Sequence, residues 1–363
     1  MTSAPEPEDG LTVLPGPLKL KRVVSLPLLV LYGLGVTIGA GIYVLIGATT
    51  AKAGVFAPSA FLLSALVMAF SAASFAEFVG RTPLSAGEAA YVASGFRRNW
   101  LTLTTGGLVI FAATVAAAAI GIGCAGYVAE IVPLPINVIA AIVIILMGTM
   151  AAWGVQESVT FAGILTLIEV GALLVVIGAG IYANPAMFDN VMEVIPSPTD
   201  QTGLVAVLSA SLIAFFAFIG FDDVVNLAEE TENPCRTMPL AIFLALALVT
   251  LIYFLIVYVA LRSVSLEELS ASRAPVWLVF ERHTGFSPCS LTMIAIIATA
   301  NGIVIQIMMA SRVVYGLTSR KRIDLPWLGQ VNSRTRTPLN ATASISVFVI
   351  ALVLFAPLEF LAE

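Results

Sequence analysis

Long apolar runs follow one another along this chain, each close to the thickness of a bilayer's hydrocarbon core. About 20 predominantly apolar residues cross that core as a helix. On that length the sequence predicts helices over 26–48, 58–78, 88–128, 136–152, 159–182, 204–228, 239–261, 291–317 and 341–355. A chain with about nine such runs has few folds open to it. In lipid every backbone N–H and C=O must find an internal partner, so the runs close on themselves as helices. Composition removes the alternative of a large soluble core. The 363 residues are 59% hydrophobic and 11% charged, with mean hydropathy +1.02, where soluble proteins carry roughly 25% charge. The chain reads as an all-α polytopic membrane protein.

Several chemistries are disfavoured. Cys124, Cys235 and Cys289 lack metal-ligand spacing, so neither a metal site nor a disulfide framework is expected. The single His283 sits in a polar stretch and is not expected to form a catalytic triad, and no cofactor motif is present. No basic, aromatic-interleaved patch suggests nucleic acid. Residues 1–25 are acidic and proline-rich at their start and lack the pattern of a cleaved signal peptide, so they read as a cytoplasmic tail. Thirteen of the seventeen Lys and Arg residues fall in segments on the same side as that tail. The bias predicts an inside N-terminus and a multi-pass protein of the plasma membrane.

The first run contains a feature that an anchor helix would avoid. Gly35-Val36-Thr37-Ile38-Gly39-Ala40-Gly41-Ile42-Tyr43 places three glycines within seven residues. Each Gly in a helix interior costs roughly 1 kcal/mol relative to Ala, and freed backbone groups find no water in the bilayer core. A helix that unwinds at mid-membrane to meet a ligand would be built this way. The sixth run has a comparable interruption at Ile219-Gly220-Phe221-Asp222. The two lie five helices apart. An odd number of spans per repeat inverts the second copy, so 26–182 and 183–363 are expected to be inverted repeats, the second one helix short. Paired interrupted helices of this kind point to a transporter's binding site.

At this point the residues resemble a known family. The chain is similar to amino acid permeases of the amino acid–polyamine–organocation superfamily, which have the leucine-transporter-type inverted-repeat fold. The resemblance rests on four stretches: 35–43; Ala76-Glu77 with Pro83, Ser85, Gly87 and Tyr91; 215–234 with 236–239; and Ser311-Arg312 with Leu325-Pro326 and Thr337-Pro338. It covers nearly the whole chain, and the helix 6 stretch is its most specific part. Members usually have twelve helices, so this chain is expected to be truncated at its C-terminus.

The ligand implied is a zwitterion. Unwinding helix 1 after Ile38 turns the N–H groups of Gly39, Ala40, Gly41 and Ile42 towards a carboxylate, with the positive end of the second half-helix behind them. Thr37 and Ile38 border that break. The family's pattern implies that carbonyls of Phe216, Ala217 and Ile219 receive the ammonium, and position suggests Phe221 as an aromatic gate. Small-residue packing between helices is the competing explanation of the glycines. No acidic residue obviously faces the side-chain pocket, which points to neutral substrates.

Charged residues inside the runs need reasons, because a carboxylate at the bilayer centre costs about 2.5–3.5 kcal/mol. Asp222 reads either as a cap for the turn after the break or as a group for coupling or substrate contact. Glu169 stands mid-helix 5 without a charged neighbour in sequence. Related permeases often hold Lys there, near the cation site that sodium-coupled relatives form between helices 1 and 8. Glu169 is therefore expected to carry a proton or to help hold a cation with Thr299 and Asn301, unless it lies nearer the surface on an arginine. Glu229 and Glu230, close to Arg236, suggest an ion-paired inner gate.

The expectation is a secondary transporter moving amino acids by alternating access, coupled to H+ or Na+. An exchanger or a polyamine carrier would share these features, and an amino acid sensor or inactive fragment is the rival from another class. The partners expected are the small-molecule substrate, the coupling ion and the lipid bilayer; the sequence does not address oligomeric state.

Overall fold

A computed structural model describes residues 20–355 except 130, 273 and 285–288, with 40, 41, 44, 284 and 289–291 described by backbone alone. The expected tail therefore lies mostly outside the described residues. Every long element is an α-helix, and no strand longer than a single bridge occurs among the described residues. The helices are α1 Leu26–Thr37, α2 Ala40–Ala53, α3 Ala57–Arg81, α4 Gly87–Phe96, α5 Asn99–Ala129, α6 Ile136–Trp153 and α7 Val155–Ala183. They continue as α8 Gln201–Phe215, α9 Pro234–Ser263, α10 Leu266–Ala271, α11 Pro275–Thr284, α12 Cys289–Ser319 and α13 Leu339–Phe355. Among the described residues, seven segments are long and apolar enough to cross a membrane; α1 and α13 are shorter apolar helices. The protein is thus an all-α polytopic membrane protein.

The helix ends follow local chemistry. Pro27, Pro58 and Pro234 each sit in a first turn, where a missing N–H is no loss. The run expected as one long third helix is two. Ala86 (φ 66°) and Arg97 (φ 53°) are left-handed and bracket α4, and the paired charges Arg97-Arg98 turn the chain before α5 begins. The polar stretch before α12 is also helical: Ser265 caps α10 by accepting the Glu268 N–H at 3.3 Å. The sixth span differs more. α8 stops at Phe215, a 3₁₀ turn covers Phe216–Phe218, and the continuation Phe221–Leu227 is 3₁₀ rather than α.

Packing draws the two interrupted spans into the centre. α1 lies against α7 and α9, α3 packs on α8 and α9, and α5 runs along α12. The apolar residues on the outer faces remain exposed, as in Leu66, Phe70, Ile145, Leu146 and Leu212, which a lipid surround would cover. Helices approach closely at small residues, the usual device where no hydrophobic drive separates protein from lipid. Gly316 of α12 is one such place. A Cβ there would stand 2.6 Å from the Ser85 carbonyl oxygen and 2.6 Å from the Ala86 Cβ.

Backbone cannot yield as a flexible side chain can, so Gly316→Ala is expected to destabilise the fold by about 1–3 kcal/mol. Gly107→Ala, whose Cβ would meet nothing within 4 Å, should not lower the melting temperature of the detergent-solubilised protein and gains the helix propensity of Ala, up to about 1 kcal/mol. Equal melting temperatures for the two variants would contradict this packing.

Candidate functional site

The two interruptions meet. α1 ends at Thr37, with the Ile38 N–H on the Leu34 carbonyl at 2.7 Å, and α2 restarts at Ala40. Gly39 is extended and no side chain caps α2, so its first N–H groups lack a side-chain acceptor at the cap. Opposite lies Gly220, at φ 115°, a conformation that favours glycine. A Cβ on Gly220 would stand 3.1 Å from the Val36 carbonyl oxygen and 2.6 Å from a Val36 methyl group. Glycine is required there twice, by conformation and by contact.

One side chain joins the two broken ends. The Tyr253 hydroxyl, from α9, lies 2.8 Å from the Thr37 carbonyl oxygen and 3.0 Å from that of Ala217, so its proton is shared between them. The ring is fully buried and packs edge-on against Phe61 and Phe218. The expected ammonium acceptors are therefore partly engaged. Phe216 O takes the Ile219 N–H at 3.4 Å and Ala217 O takes Tyr253, leaving each carbonyl one further lone pair. Thr37, Ile38, Ile42 and Ala217 are buried at the junction, whereas the side chains of Phe216 and Ile219 are exposed. Phe221 is buried edge-to-face on Phe75. Ala40 and Gly41 open α2, through their backbone.

Beside this junction sits a polar cluster. Asn301 of α12 donates its Nδ2 to the Thr166 hydroxyl at 3.0 Å and to Glu169 Oε1 at 3.4 Å. Gly35 of α1 packs against both Thr166 and Asn301. Glu169 and Asn301 are buried, and each keeps one oxygen, Oε2 and Oδ1, without a donor. Glu169 is therefore not on an arginine near the surface. Two unsatisfied acceptors on adjoining side chains suit a cation or a proton. The Tyr43 hydroxyl, also buried and unpartnered, lies within electrostatic reach of Glu169. Thr299 is not brought to this cluster: its hydroxyl donates to Ala295 O and Ile296 O of its own helix.

A second group of acids lies past the other break. Asp222 Oδ1 accepts the Gly220 N–H at 3.2 Å, so it caps backwards onto the break rather than forwards onto the next turn. Asp223 accepts from Gln306 Nε2 at 3.3 Å, with Asp222 and Glu88 within electrostatic reach. Asn226 accepts the Gly87 N–H at 3.0 Å.

The glutamates after the sixth span are ion-paired, though not to Arg236. Arg312 of α12 grips Glu230 with two parallel bonds of 3.1 Å, both side chains fully buried. Arg320 pairs with Glu229 and also donates to Ser85 O at 3.1 Å. Arg236 is exposed, with no ion-pair partner among the described residues. The same strand of chain holds the approach to α1: Val23 and Val24 donate to Glu230 O at 2.9 and 3.0 Å, and Glu232 donates back to Val24 O at 3.0 Å.

Sequence reasoning missed Tyr253, Arg312 and Arg320. Two of them carried a signal. Tyr253 is a hydroxyl within a run of strongly apolar residues, and Arg312 is a full charge inside the eighth run, where charge demands a partner.

Comparison with known proteins bears on this arrangement. A family model described as amino acid permease matches residues 25–363. The chain is 28% identical over 96% of its length to the vacuolar cationic amino acid transporter 4 of Arabidopsis thaliana, covering 61% of that protein. It is 25% identical over 98% of its length to the branched-chain amino acid permease BcaP of Bacillus subtilis, covering 79% of it. It is 31% identical over 64% of its length to the methylthioribose transporter of B. subtilis, covering 53% of it. The chain thus spans about three fifths of the length of the cationic transporters it matches.

Removing one partner of a buried pair leaves the other charge uncompensated, at about 3–5 kcal/mol. Arg312→Met is therefore expected to lower the melting temperature far more than Arg320→Met, whose pair is partly exposed. Tyr253→Phe removes only a hydroxyl and is expected to destabilise by about 1–3 kcal/mol. An unchanged melting temperature for Tyr253→Phe would show that the two breaks do not depend on it.

Proposed function

The chain belongs to the amino acid permease family, and from that premise we propose that it is a secondary transporter carrying amino acids across a membrane by alternating access. The observation that carries this reading is the meeting of the two interruptions at Gly39 and Gly220, pinned by Tyr253. Uncapped N–H groups at the start of α2 suit a carboxylate. Remaining lone pairs at Phe216 and Ala217, with Ile219 beside them, suit an ammonium. Both groups belong to the part that all amino acids share, so the breaks recognise the backbone of the substrate and leave its side chain to the surrounding helices.

In this reading Glu169 and Asn301 hold the coupling proton or sodium ion beside α1, and Gly35 transmits its occupancy to the broken helix. Asp222 serves the break itself. The pairs Arg312–Glu230 and Arg320–Glu229, with the Val24 bridge, close the end of the bundle that carries the N-terminus, which is taken to be cytoplasmic. Residues 26–182 and 183–363 act as the two inverted repeats. The plasma membrane is the proposed site of action, on the charge bias of the loops.

The test is uptake of radiolabelled leucine and arginine into proteoliposomes of the full chain, with an imposed proton or sodium gradient. Accumulation above protein-free vesicles is expected. One charge moving through 100 mV supplies about 2.3 kcal/mol, roughly fiftyfold accumulation. Glu169→Gln is expected to abolish that accumulation while leaving counterflow exchange intact. Binding without flux would overturn the transporter reading in favour of a sensor. Accumulation unaffected by Glu169→Gln would remove Glu169 from coupling.

A further inference from the structure

A cavity of about 860 Å³ opens at the end of the bundle that carries the N-terminus, away from the site described above. It is lined by Lys21 and Val23 ahead of α1, by Trp153 at the end of α6, by the first turn of α7, and by Arg334 and Arg336 in the segment before α13. Three cations share it, and none has an ion-pair partner among the described residues. Its one carboxylate, Glu157, makes no ion pair with them. It lies back against Gly154 in the first turn of α7, where an acid complements the helix N-terminus.

The two arginines are held on a built turn rather than on a loose loop. Asn332 Oδ1 accepts the Arg334 and Thr335 N–H groups at 2.9 and 3.1 Å. The Arg336 N–H donates to Asn332 O at 3.0 Å, and Arg336 itself stands at φ 56°, uncommon for a residue with a side chain. The Thr337 hydroxyl then fastens the turn to the Ala152 carbonyl of α6 at 3.1 Å. Next to Ala152, Trp153 is 63% exposed.

The lining continues into an apolar track. Val138, Ile142, Ile145 and Leu146 are exposed along α6 at spacings of three, four and seven or eight residues, with Trp153 one further two turns on. That face leads from the membrane-spanning surface to the mouth of the cavity. A headgroup in the cavity would leave its chains on that face.

We propose that this cavity binds the phosphodiester headgroup of an anionic phospholipid, with Lys21, Arg334 and Arg336 on the phosphate, Trp153 at the interface and the acyl chains along α6. Basic pockets between helices near a membrane surface suit such headgroups. The bound lipid would brace the approach to α1 against α6, α7 and the segment before α13.

Native mass spectrometry of the detergent-solubilised full chain tests this, with phosphatidylglycerol and phosphatidylcholine of identical chains. Preferential retention of phosphatidylglycerol is expected. Arg334→Gln/Arg336→Gln should weaken it about thirtyfold, from roughly fivefold per cation. Arg334→Lys/Arg336→Lys should keep it, as should Lys52→Gln, which alters a charge beyond the break in the first span. Equal retention of the two lipids, or retention unchanged in the double Gln variant at an unaltered melting temperature, would overturn the proposal. Displacement of the lipid by millimolar glycerol 3-phosphate would overturn it too, assigning the cations to a soluble phosphate ester.

Discussion

Everything near the centre of this protein depends on two backbone interruptions being held against each other inside a membrane. An unpaired peptide group in hydrocarbon costs several kcal/mol, so a broken helix survives only where something else receives its free groups. Here that support is local and specific. Gly220 approaches the Val36 backbone as closely as a residue without a Cβ can, and the Tyr253 hydroxyl lies on carbonyls from both broken ends. α9 supplies that tyrosine and is among the most buried of the long spans. The bundle around the breaks acts as their scaffold: α3, α7 and α9 pack on the pieces that a continuous helix would have stabilised by itself.

The charges obey the same constraint in two different ways. Arg312 and Glu230 are fully buried and answer each other with two parallel bonds, the arrangement that makes a buried charge tolerable. They stabilise a contact between the eighth span and the end of the sixth. Glu169 and Asn301 answer each other only in part, and each retains an oxygen with no donor. A complete pair reads as structure, while an incomplete pair beside a broken helix reads as a place for a mobile proton or ion. This contrast distinguishes the proposed gate from the proposed coupling site more clearly than charge alone.

Much of this was legible in the residues. Run length gave the helical spans, and glycine spacing located the first break to within a residue, because backbone freedom is written in residue type. The sixth span's break was also located, although its continuation in 3₁₀ geometry was not, since nothing in Phe221–Leu227 distinguishes the two helices by composition. Partners across the bundle were the weakest part. Proximity in sequence suggested Arg236 for Glu229 and Glu230, but helix packing delivered Arg320 and Arg312 from about eighty to ninety residues away. The division of α4 from α5 turned on a left-handed residue at Arg97, which is not a glycine and so gave no warning. Asn301 could be named from its residue type in the eighth span, while Thr299, two residues away, turned out to satisfy its own helix.

The central claim is that two facing helix breaks recognise the two charged ends of an amino acid. Isothermal titration of the purified chain tests it directly, using leucine and arginine, each beside its decarboxylated amine and its deaminated acid. The account predicts that only a zwitterion binds well, with loss of either charged group weakening binding about tenfold or more, as expected for hydrogen bonds to a charge. Equal binding of the amine or the acid would contradict it, because one of the two breaks would then have no ligand to hold.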